Sequence, residues 1–396
     1  MIGYPCARGG NPLDPPPEYA RWRDDEKPLR RVRLPNGRTP WLVTRCEDAR
    51  AVLQNPLFSS DSTHPGYPAF GAAVELPPLN TTFIGLDDPE HARLRRMFIP
   101  DFTAKRVEKL RPEIQRIVDE RIDRMTSHAM PADLVADFAL PVSSQVICLL
   151  LGVPYSEHAV FERNTHIVTT AAASYEAKIH AGAEILGLLE KLVAARESEP
   201  LDDLTSRLVA DYVATGQLTQ QAAVLNLGLL LGAGHDTSAN MIALSALVLL
   251  RDRDHADRLR ADPALMDTAV EELLRYLTIV QLGLARVALA DAEISDQVIR
   301  AGEGVVVSLQ AANRDSRCFT DPDVLDLARP DARRHVAFGF GGHQCLGQTL
   351  ARAELQISVS TLIRRLPALR LAVPYEDIRF KDGMDFYGPN ELPVRW

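Results

Sequence analysis

The sequence predicts a mainly α-helical protein with a small β region. Helical spacing of apolar residues dominates 88–276 and is interrupted at Pro131, Pro154, Pro200 and Pro263. Strand-like apolar runs return at 279–289, 294–299 and 305–309. With 46% hydrophobic and 24% charged residues over 396 positions, the chain has the composition of a globular protein with a large core.

The N-terminal part is predicted to hold a surface arm, two strands and a short helix. Residues 1–28 are rich in proline and are expected to lie on the surface. Strands are predicted over 29–34 and 41–44, on either side of the Asn36-Gly37 turn signal. A short helix is predicted over 47–53, stopped by Asn55-Pro56.

Two segments have patterns that suggest a cover over a binding site. Residues 61–86 lack helical or strand periodicity, yet they contain Tyr67, Phe70 and Phe83 and are too apolar for a solvated linker. A long loop of this kind is usually functional or disordered. Residues 155–197 are predicted to form two helices joined by a turn.

A single long helix is predicted over 219–250, about 45–50 Å long at 1.5 Å per residue. A transmembrane span is the alternative, because 222–250 is long enough to cross a bilayer. Against this, His235, Asp236 and Asn240 lie near its middle, where polar side chains are costly in lipid. We therefore expect a buried central helix. A short hairpin is predicted over 380–396.

Charge and cysteine usage exclude several classes of protein. A net charge of −9 argues against nucleic acid as a partner. The five cysteines are scattered and form no CxxC pair, which disfavours a disulfide scaffold or a zinc site. The N-terminus has neither a basic nor an apolar leader segment, so we expect a soluble, cytoplasmic protein without a membrane anchor.

The run from Phe338 to Gly347, Phe-Gly-Phe-Gly-Gly-His-Gln-Cys-Leu-Gly, is the main chemical signal. Its glycines allow the backbone to approach a flat, bulky group. Cys345 precedes a predicted helix, where unpaired N–H groups favour a thiolate, and His343 is expected to be cationic. These features suit a soft metal ligand. The alternative is a buried free cysteine in a tight turn.

The spacing of Phe338, Gly339, Gly341, His343, Cys345 and Gly347 resembles the haem-binding loop of the cytochrome P450 family. Other motifs of that family recur in its order along nearly the whole chain. The resemblance implies one cytochrome P450-like domain over 1–396, like those of soluble actinobacterial members, with one haem b. It also implies that 61–86 and 155–197 are lid regions over the substrate.

The resemblance assigns roles to residues at matching positions. Asp236 and Thr237 match an acid–threonine pair that delivers protons, although Thr237 could instead bond back to the carbonyl four residues earlier. Gly232 and Gly234 could open the helix locally. Glu272 and Arg275 match a structural pair, which Arg329 is expected to join. The cofactor-binding residues are predicted to be His91, Arg95, Ala233, Gly234, Thr237, Arg286, Phe338, Gly339, His343, Cys345 and Gly347, with Cys345 as the metal ligand.

The resemblance further implies a monooxygenase that inserts one oxygen of O₂ into a lipophilic small molecule. Its substrate is expected to be a polyketide, terpenoid or drug-like compound, and the protein a monomer. Electrons are expected from a ferredoxin and its reductase. The alternatives are a peroxygenase, an oxidative coupling or C–C-cleaving enzyme, and a non-catalytic haem sensor. Residues 91–116 contain eight lysines or arginines against three acids, which suggests a docking face for an acidic ferredoxin.

Overall fold

The computed structural model describes residues 2–70, 81–169, 173–382 and 384–396. More than half of these residues lie in α-helices or in short 3₁₀ and π segments, so the predicted fold class is confirmed. The helices are α1 (Pro17–Asp24), α2 (Cys46–Gln54), α3 (Glu90–Phe98), α4 (Ala104–Thr126), α5 (Leu140–Leu151), α6 (His158–Thr169), α7 (Tyr175–Ser198), α8 (Leu204–Leu208), α9 (Gln220–Arg251), α10 (Arg253–Ala261), α11 (Met266–Leu277), α12 (Leu309–Ala312) and α13 (Gln348–Arg365).

The central helix is α9, which packs against α5, α7 and α13. It begins where the Thr219 side chain accepts a hydrogen bond from the N–H of Ala222, and it runs without interruption to Arg251. The single long helix predicted over 219–250 is therefore confirmed. No helix in the part of the chain that the structure describes is long and apolar enough to cross a membrane.

The sequence suggested that Gly232 and Gly234 open α9 locally. In the structure, the helix is continuous at both glycines. A side chain at Gly234 would place its Cβ 2.7 Å from Ile147 Cδ1, so glycine is needed there for α5 to approach. Nothing lies within 4 Å of the corresponding position at Gly232. Helix packing explains Gly234, and the structure gives no such reason for Gly232.

The strands form three small sheets. They are β1 (Ile2–Gly3), β2 (Arg30–Arg33), β3 (Trp41–Val43), β4 (Phe58–Ser59), β5 (Ala132–Asp133), β6 (Leu284–Ala288), β7 (Ala292–Ile294), β8 (Gln297–Ile299), β9 (Gly304–Val307), β10 (Arg370–Leu371) and β11 (Pro393–Arg395). The largest sheet has the order β1-β2-β3-β9-β6-β4, with β3 parallel to β9. The hairpin predicted around Asn36-Gly37 is present as β2 and β3.

Two predicted β segments differ in detail from the structure. The segment 294–299 is not one strand: it contains the last residue of β7, a turn and the whole of β8. The turn lies at Ser295 and Asp296, which adopt positive φ values of 46° and 58°. The hairpin at the C-terminus closes where Lys381 N–H donates to the Gly388 carbonyl at 2.9 Å. Beyond it, β11 pairs with β10 and β5.

The N-terminal arm is joined to the body of the protein. Its first strand, β1, pairs in parallel with β2, and Tyr4, Leu13 and Tyr19 are buried. The Arg8 guanidinium lies 3.6 Å from the centre of the Tyr387 ring. The described part of this arm, residues 2–28, therefore covers part of the core with its apolar side chains instead of lying only at the surface.

Candidate functional site

The loop from Phe338 to Gly347 folds back on itself before α13. Cys345 N–H donates to the Phe338 carbonyl at 2.8 Å, and Gln344 N–H donates to the Gly341 carbonyl at 3.1 Å. Gly341 has φ +75°, and a Cβ there would lie 2.7 Å from the Leu53 carbonyl oxygen. Glycine is required for this close approach to the end of α2. The loop thus places Cys345 three residues before the start of α13.

The Cys345 side chain is exposed to solvent in the protein alone, although protein atoms surround much of it. Their desolvation raises the pKa of the thiol, while the nearby N–H groups of Gly347 and Gln348 and the charges of Arg95 and Arg352 oppose this rise. The helix N-terminus therefore does not by itself produce a thiolate. A cation bound directly at the sulfur would favour the ionised form.

The prediction that His343 is cationic is wrong for the protein alone. Burial, together with the nearby charges of Arg286, His91 and Arg95, lowers the pKa of His343 to about 3. The His91 and His343 rings stack with centroids 3.9 Å apart. Because Arg286 and the α3 residues are distant in sequence, their effect on His343 could not be seen from the loop motif.

His91, Arg95, Arg286 and His343 form what we call the cationic wall, whose positive charge comes from the two arginines. His91 is 3% exposed, and its Nδ1 bonds to Asp88 at 2.9 Å. Among the described residues, His91 Nε2 has no hydrogen-bond partner. Arg286 is buried on β6 and donates to the Ala285 carbonyl. The wall therefore concentrates donors and positive charge in a place that favours an anion.

The wall and the Cys345 loop fit the haem that the resemblance implies. Haem presents an iron for a thiolate and two propionate carboxylates for cationic donors. Arg95 donates to the Gln344 carbonyl, which places the wall beside the residue before Cys345. The buried Arg286 could donate to those carboxylates, and so could the partnerless His91 Nε2 in the imidazolium form, since His91 Nδ1 already donates to Asp88.

A buried network on the N-terminal side of the loop is centred on Glu272. Arg275 donates to its two oxygens at 2.7 and 2.8 Å, and Arg329 donates at 3.0 and 3.1 Å. The predicted contact of Arg329 with this pair is therefore present. The remaining guanidinium donors bind backbone carbonyls of the irregular segment before the loop, at Asn313, Thr320, Asp321, Pro322 and Val324.

A second buried network, which the sequence analysis missed, is centred on the adjacent Glu271. Its carboxylate bonds to His335 at 3.2 Å and accepts from Arg352 of α13 at 2.6 Å. The Arg352 guanidinium also lies 4.7 Å from the Phe338 ring centre. Burial alone would raise the pKa of Glu271, but His335 and Arg352 lower it to about 2. This network holds α13 to the start of the loop.

Asp236 and Thr237 lie in the middle of α9. Thr237 Oγ1 donates to the Ala233 carbonyl at 2.6 Å, which is the local helix bond considered as the alternative. Asp236 is buried, and His235 Nε2 lies 4.0 Å from its Oδ1. Ala233 is exposed, although most positions after it in α9 are buried. Ala233 therefore lies on a part of α9, beside the acid–threonine pair, that the other described elements do not bury.

The predicted lid regions lie partly outside the described residues. Residues 71–80 of the segment 61–86 and residues 170–172 of the segment 155–197 are not described. The rest of 155–197 contains the expected helix pair, α6 and α7, which pack against each other.

Comparisons with known proteins identify relatives over nearly the whole chain. A family model described as Cytochrome P450 matches residues 35–370. The chain is 51% identical to Cytochrome P450-SU2 of Streptomyces griseolus, covering 100% of this chain and 97% of that protein. It is 45% identical to Vitamin D3 dihydroxylase of the same organism, covering 97% and 95%. The crystal structure of GfsF superposes with a TM-score of 0.95 at 44% identity, covering 100% of both chains.

The Glu271 network yields a prediction about acid stability. A carboxyl whose pKa is depressed by folding stabilises the protein above its unfolded pKa and loses that effect as the pH falls through its folded pKa. For a shift from 4.5 to about 2, we expect Glu271→Gln to lower the free energy of unfolding by about 3 kcal/mol at pH 7. The loss should shrink between pH 4.5 and 2, as measured by urea unfolding followed by circular dichroism.

Glu108→Gln is the control, because Glu108 forms an exposed i,i+3 pair with Arg111. Such surface pairs contribute little, about 0–1 kcal/mol. A loss in Glu271→Gln that stays constant from pH 7 down to pH 3 would show that packing, and not the carboxylate charge, stabilises this region.

Proposed function

This chain belongs to the cytochrome P450 family and is a haem-thiolate monooxygenase, and we propose that Cys345 is the thiolate ligand of a haem b. The observation that supports this assignment is the position of the Cys345 thiol beside a cationic wall with a partnerless buried nitrogen at His91. When bound, a haem with thiolate ligation supplies the oxygen chemistry by favouring cleavage of the O–O bond.

We propose that the wall holds the haem propionates. The two carboxylates would be shared by His91, Arg95, Arg286 and His343. Their negative charge would oppose the burial and the neighbouring positive charges that lower the pKa of His343. The stacked rings of His91 and His343 keep both imidazoles on one side. The loop residues Phe338, Gly339 and Gly347 and the helix residues Ala233 and Gly234 are proposed to line the remaining cofactor site.

Proton delivery is assigned to Asp236 and Thr237. Because the Thr237 hydroxyl donates to the Ala233 carbonyl, its oxygen lone pairs remain free to accept a hydrogen bond. Asp236 would resupply the proton that the Thr237 hydroxyl passes on. Around it, Asn240 donates to the Asp236 backbone carbonyl at 2.9 Å, and Lys381 donates to the Asn240 side chain at 2.9 Å. These contacts fix this turn of α9 while leaving the carboxylate available.

We propose a lipophilic small molecule of the secondary-metabolite class as the substrate. Vitamin D3 dihydroxylase, a relative at 45% identity, is named for a compound of lipophilic character. The segments 61–86 and 155–197 would cover the substrate, because both present exposed apolar side chains, among them Ile84, Tyr175 and Ile179. The free cysteines fit a reducing cytoplasm, where electron donors are available.

Electrons are proposed to come from a ferredoxin and its reductase. Arg95 of α3 contacts Gln344, and Phe102, just before α4, lies 3.8 Å from the Cβ position of Gly347. The C-terminal half of α3 and the start of α4 therefore border the Cys345 side of the protein. Acidic ferredoxins would be attracted to basic residues there.

Ion pairs within the protein occupy several of the basic residues of that face. Arg93, Arg106, Arg111 and Arg116 each pair with nearby carboxylates. In contrast, Arg96, Lys105 and Lys109 are exposed, and no described carboxylate forms an ion pair with them. These three residues are the cations most available to a partner.

The thiolate assignment predicts the spectrum of a cysteine variant. In Cys345→Ala, the red-shifted Soret band of the reduced carbon monoxide complex should disappear, because that band requires thiolate ligation. Replacing Cys6, Cys46, Cys148 or Cys318 by alanine should leave it intact. Retention of the band in Cys345→Ala would refute the assignment.

The proton-delivery assignment predicts uncoupling. Thr237→Ala and Asp236→Asn should still show the spin-state shift on substrate binding and still consume reduced nicotinamide through the redox partners. Product per electron should fall by about ten-fold or more, with free hydrogen peroxide rising instead. Thr237→Ser is the control, because it keeps the hydroxyl. Equal coupling in Thr237→Ala and wild type would leave Thr237 with its helix-packing role alone.

The donor assignment predicts a salt-dependent reduction rate. Stopped-flow reduction by ferredoxin should slow as ionic strength rises, because screening acts over a Debye length of about 8 Å at physiological salt. Arg96→Glu, Lys105→Glu and Lys109→Glu should each slow reduction without changing the haem spectrum. Lys27→Glu, which makes the same change in net charge outside this face, is the control. Reduction that is independent of salt and of all three reversals would exclude electrostatic docking here.

A further inference from the structure

Two cysteines that are far apart in sequence meet beside a glutamate. Cys46 is the first residue of α2, and Cys318 lies in the irregular segment after α12. Their sulfurs and a Glu47 carboxylate oxygen all lie within 4.8 Å of one another. Both cysteines are buried and free, whereas the Glu47 side chain is 68% exposed. The cluster therefore consists of two inner thiols and one carboxylate that faces solvent.

The spacing of these three groups suits tetrahedral coordination. With Zn–S distances of about 2.3 Å and Zn–O distances of about 2.0 Å, the sulfur–oxygen edge of a tetrahedron is about 3.5 Å and the sulfur–sulfur edge about 3.8 Å. The Cys318 sulfur lies 3.5 Å from Glu47 Oε1. No pair exceeds 4.8 Å, so closure of the site requires movements of about 1 Å. The solvent side leaves the fourth position to water.

One residue anchors the backbones of both cysteines. The side chain of Asp315 accepts from the N–H of Cys46 at 2.9 Å, and its carbonyl accepts from the N–H of Cys318 at 3.0 Å. Asp315 is 1% exposed. The two thiols are thus held in place by a buried residue that does not itself join the cluster, and such support improves metal affinity.

A cation here would compete with Arg50. Arg50 lies one turn after Glu47 on α2 and donates to Glu47 Oε1 at 2.7 Å. Coordination of that carboxylate would therefore displace a partly exposed ion pair, which costs little. A disulfide between the same cysteines would require neither Glu47 nor the loss of its pairing with Arg50. The role of Glu47 separates these two possibilities.

We propose that Cys46, Cys318 and Glu47 form a binding site for a thiophilic divalent cation of the Zn²⁺ class, separate from the haem-binding loop. The ligand set has two soft sulfurs and one carboxylate, a combination that favours Zn²⁺ or Cd²⁺ over Mg²⁺ or Ca²⁺.

The test is equilibrium dialysis of the reduced holoenzyme against ZnCl₂, with Cd²⁺ as a second probe through its ultraviolet thiolate charge-transfer band. Wild type should bind one equivalent of Zn²⁺ that Cys46→Ser and Cys318→Ser lose. Glu47→Gln should bind that equivalent at least about ten-fold more weakly. Arg50→Gln should bind it more tightly, because it removes the competing cation.

Cys6→Ser and Cys148→Ser are matched controls and should retain the equivalent. Because the Glu47 side chain faces solvent, Glu47→Gln keeps the test decisive even where a buried cysteine variant does not fold. An unchanged carbon monoxide spectrum will show that the haem site is intact. Equal Zn²⁺ binding by wild type and Glu47→Gln would overturn the proposal. The proposal would also be overturned if the reduced protein bound no Zn²⁺ and only formed a Cys46–Cys318 disulfide on oxidation.

Discussion

The contact between Glu272 and its two arginines is the constraint on which the position of Cys345 depends. All three side chains are buried, and each guanidinium donor that does not bind Glu272 satisfies a backbone carbonyl of the segment that leads to the loop. That segment has little regular secondary structure, so its buried carbonyls need side-chain donors. Removing one partner of a buried ion pair typically costs about 3–5 kcal/mol, because it leaves an uncompensated charge. The path of the chain into the Cys345 loop is therefore set by α11.

Glu271 extends this constraint to the other side of the loop. Successive residues on an α-helix point about 100° apart, so Glu271 and Glu272 can serve two different neighbours. Glu272 fixes the segment before the loop, and Glu271 fixes Arg352 on α13 after it. Arg352 in turn lies over Phe338, the first residue of the loop. Cys345 is thus held between two helices by adjacent residues of a third.

Local patterns predicted the parts of the structure that local chemistry determines. The helix α9, the hairpin of β2 and β3, and the pairing of Glu272 with Arg275 follow from spacing along one stretch of chain. The split of 294–299 into a hairpin was missed, because its turn uses Ser295 and Asp296 without the usual glycine. Contacts between distant segments were also beyond prediction. The low pKa of His343 depends on its burial and on Arg286, and Cys46 lies beside Cys318 only in the folded chain.

The helix α9 shows why an apolar segment of this length belongs inside a protein rather than a membrane. Its polar residues near the middle find partners on other elements: Asn240 accepts from Lys381, and Ser238 lies beside Glu354 of α13. Burial raises the pKa of Glu354 to about 7, and the hydroxyls of Ser143 and Ser238 oppose that rise. Buried polar groups are costly unless such partners are present. The polar middle of α9 therefore needs the surrounding elements, and those elements in turn bury their apolar side chains against its flanks.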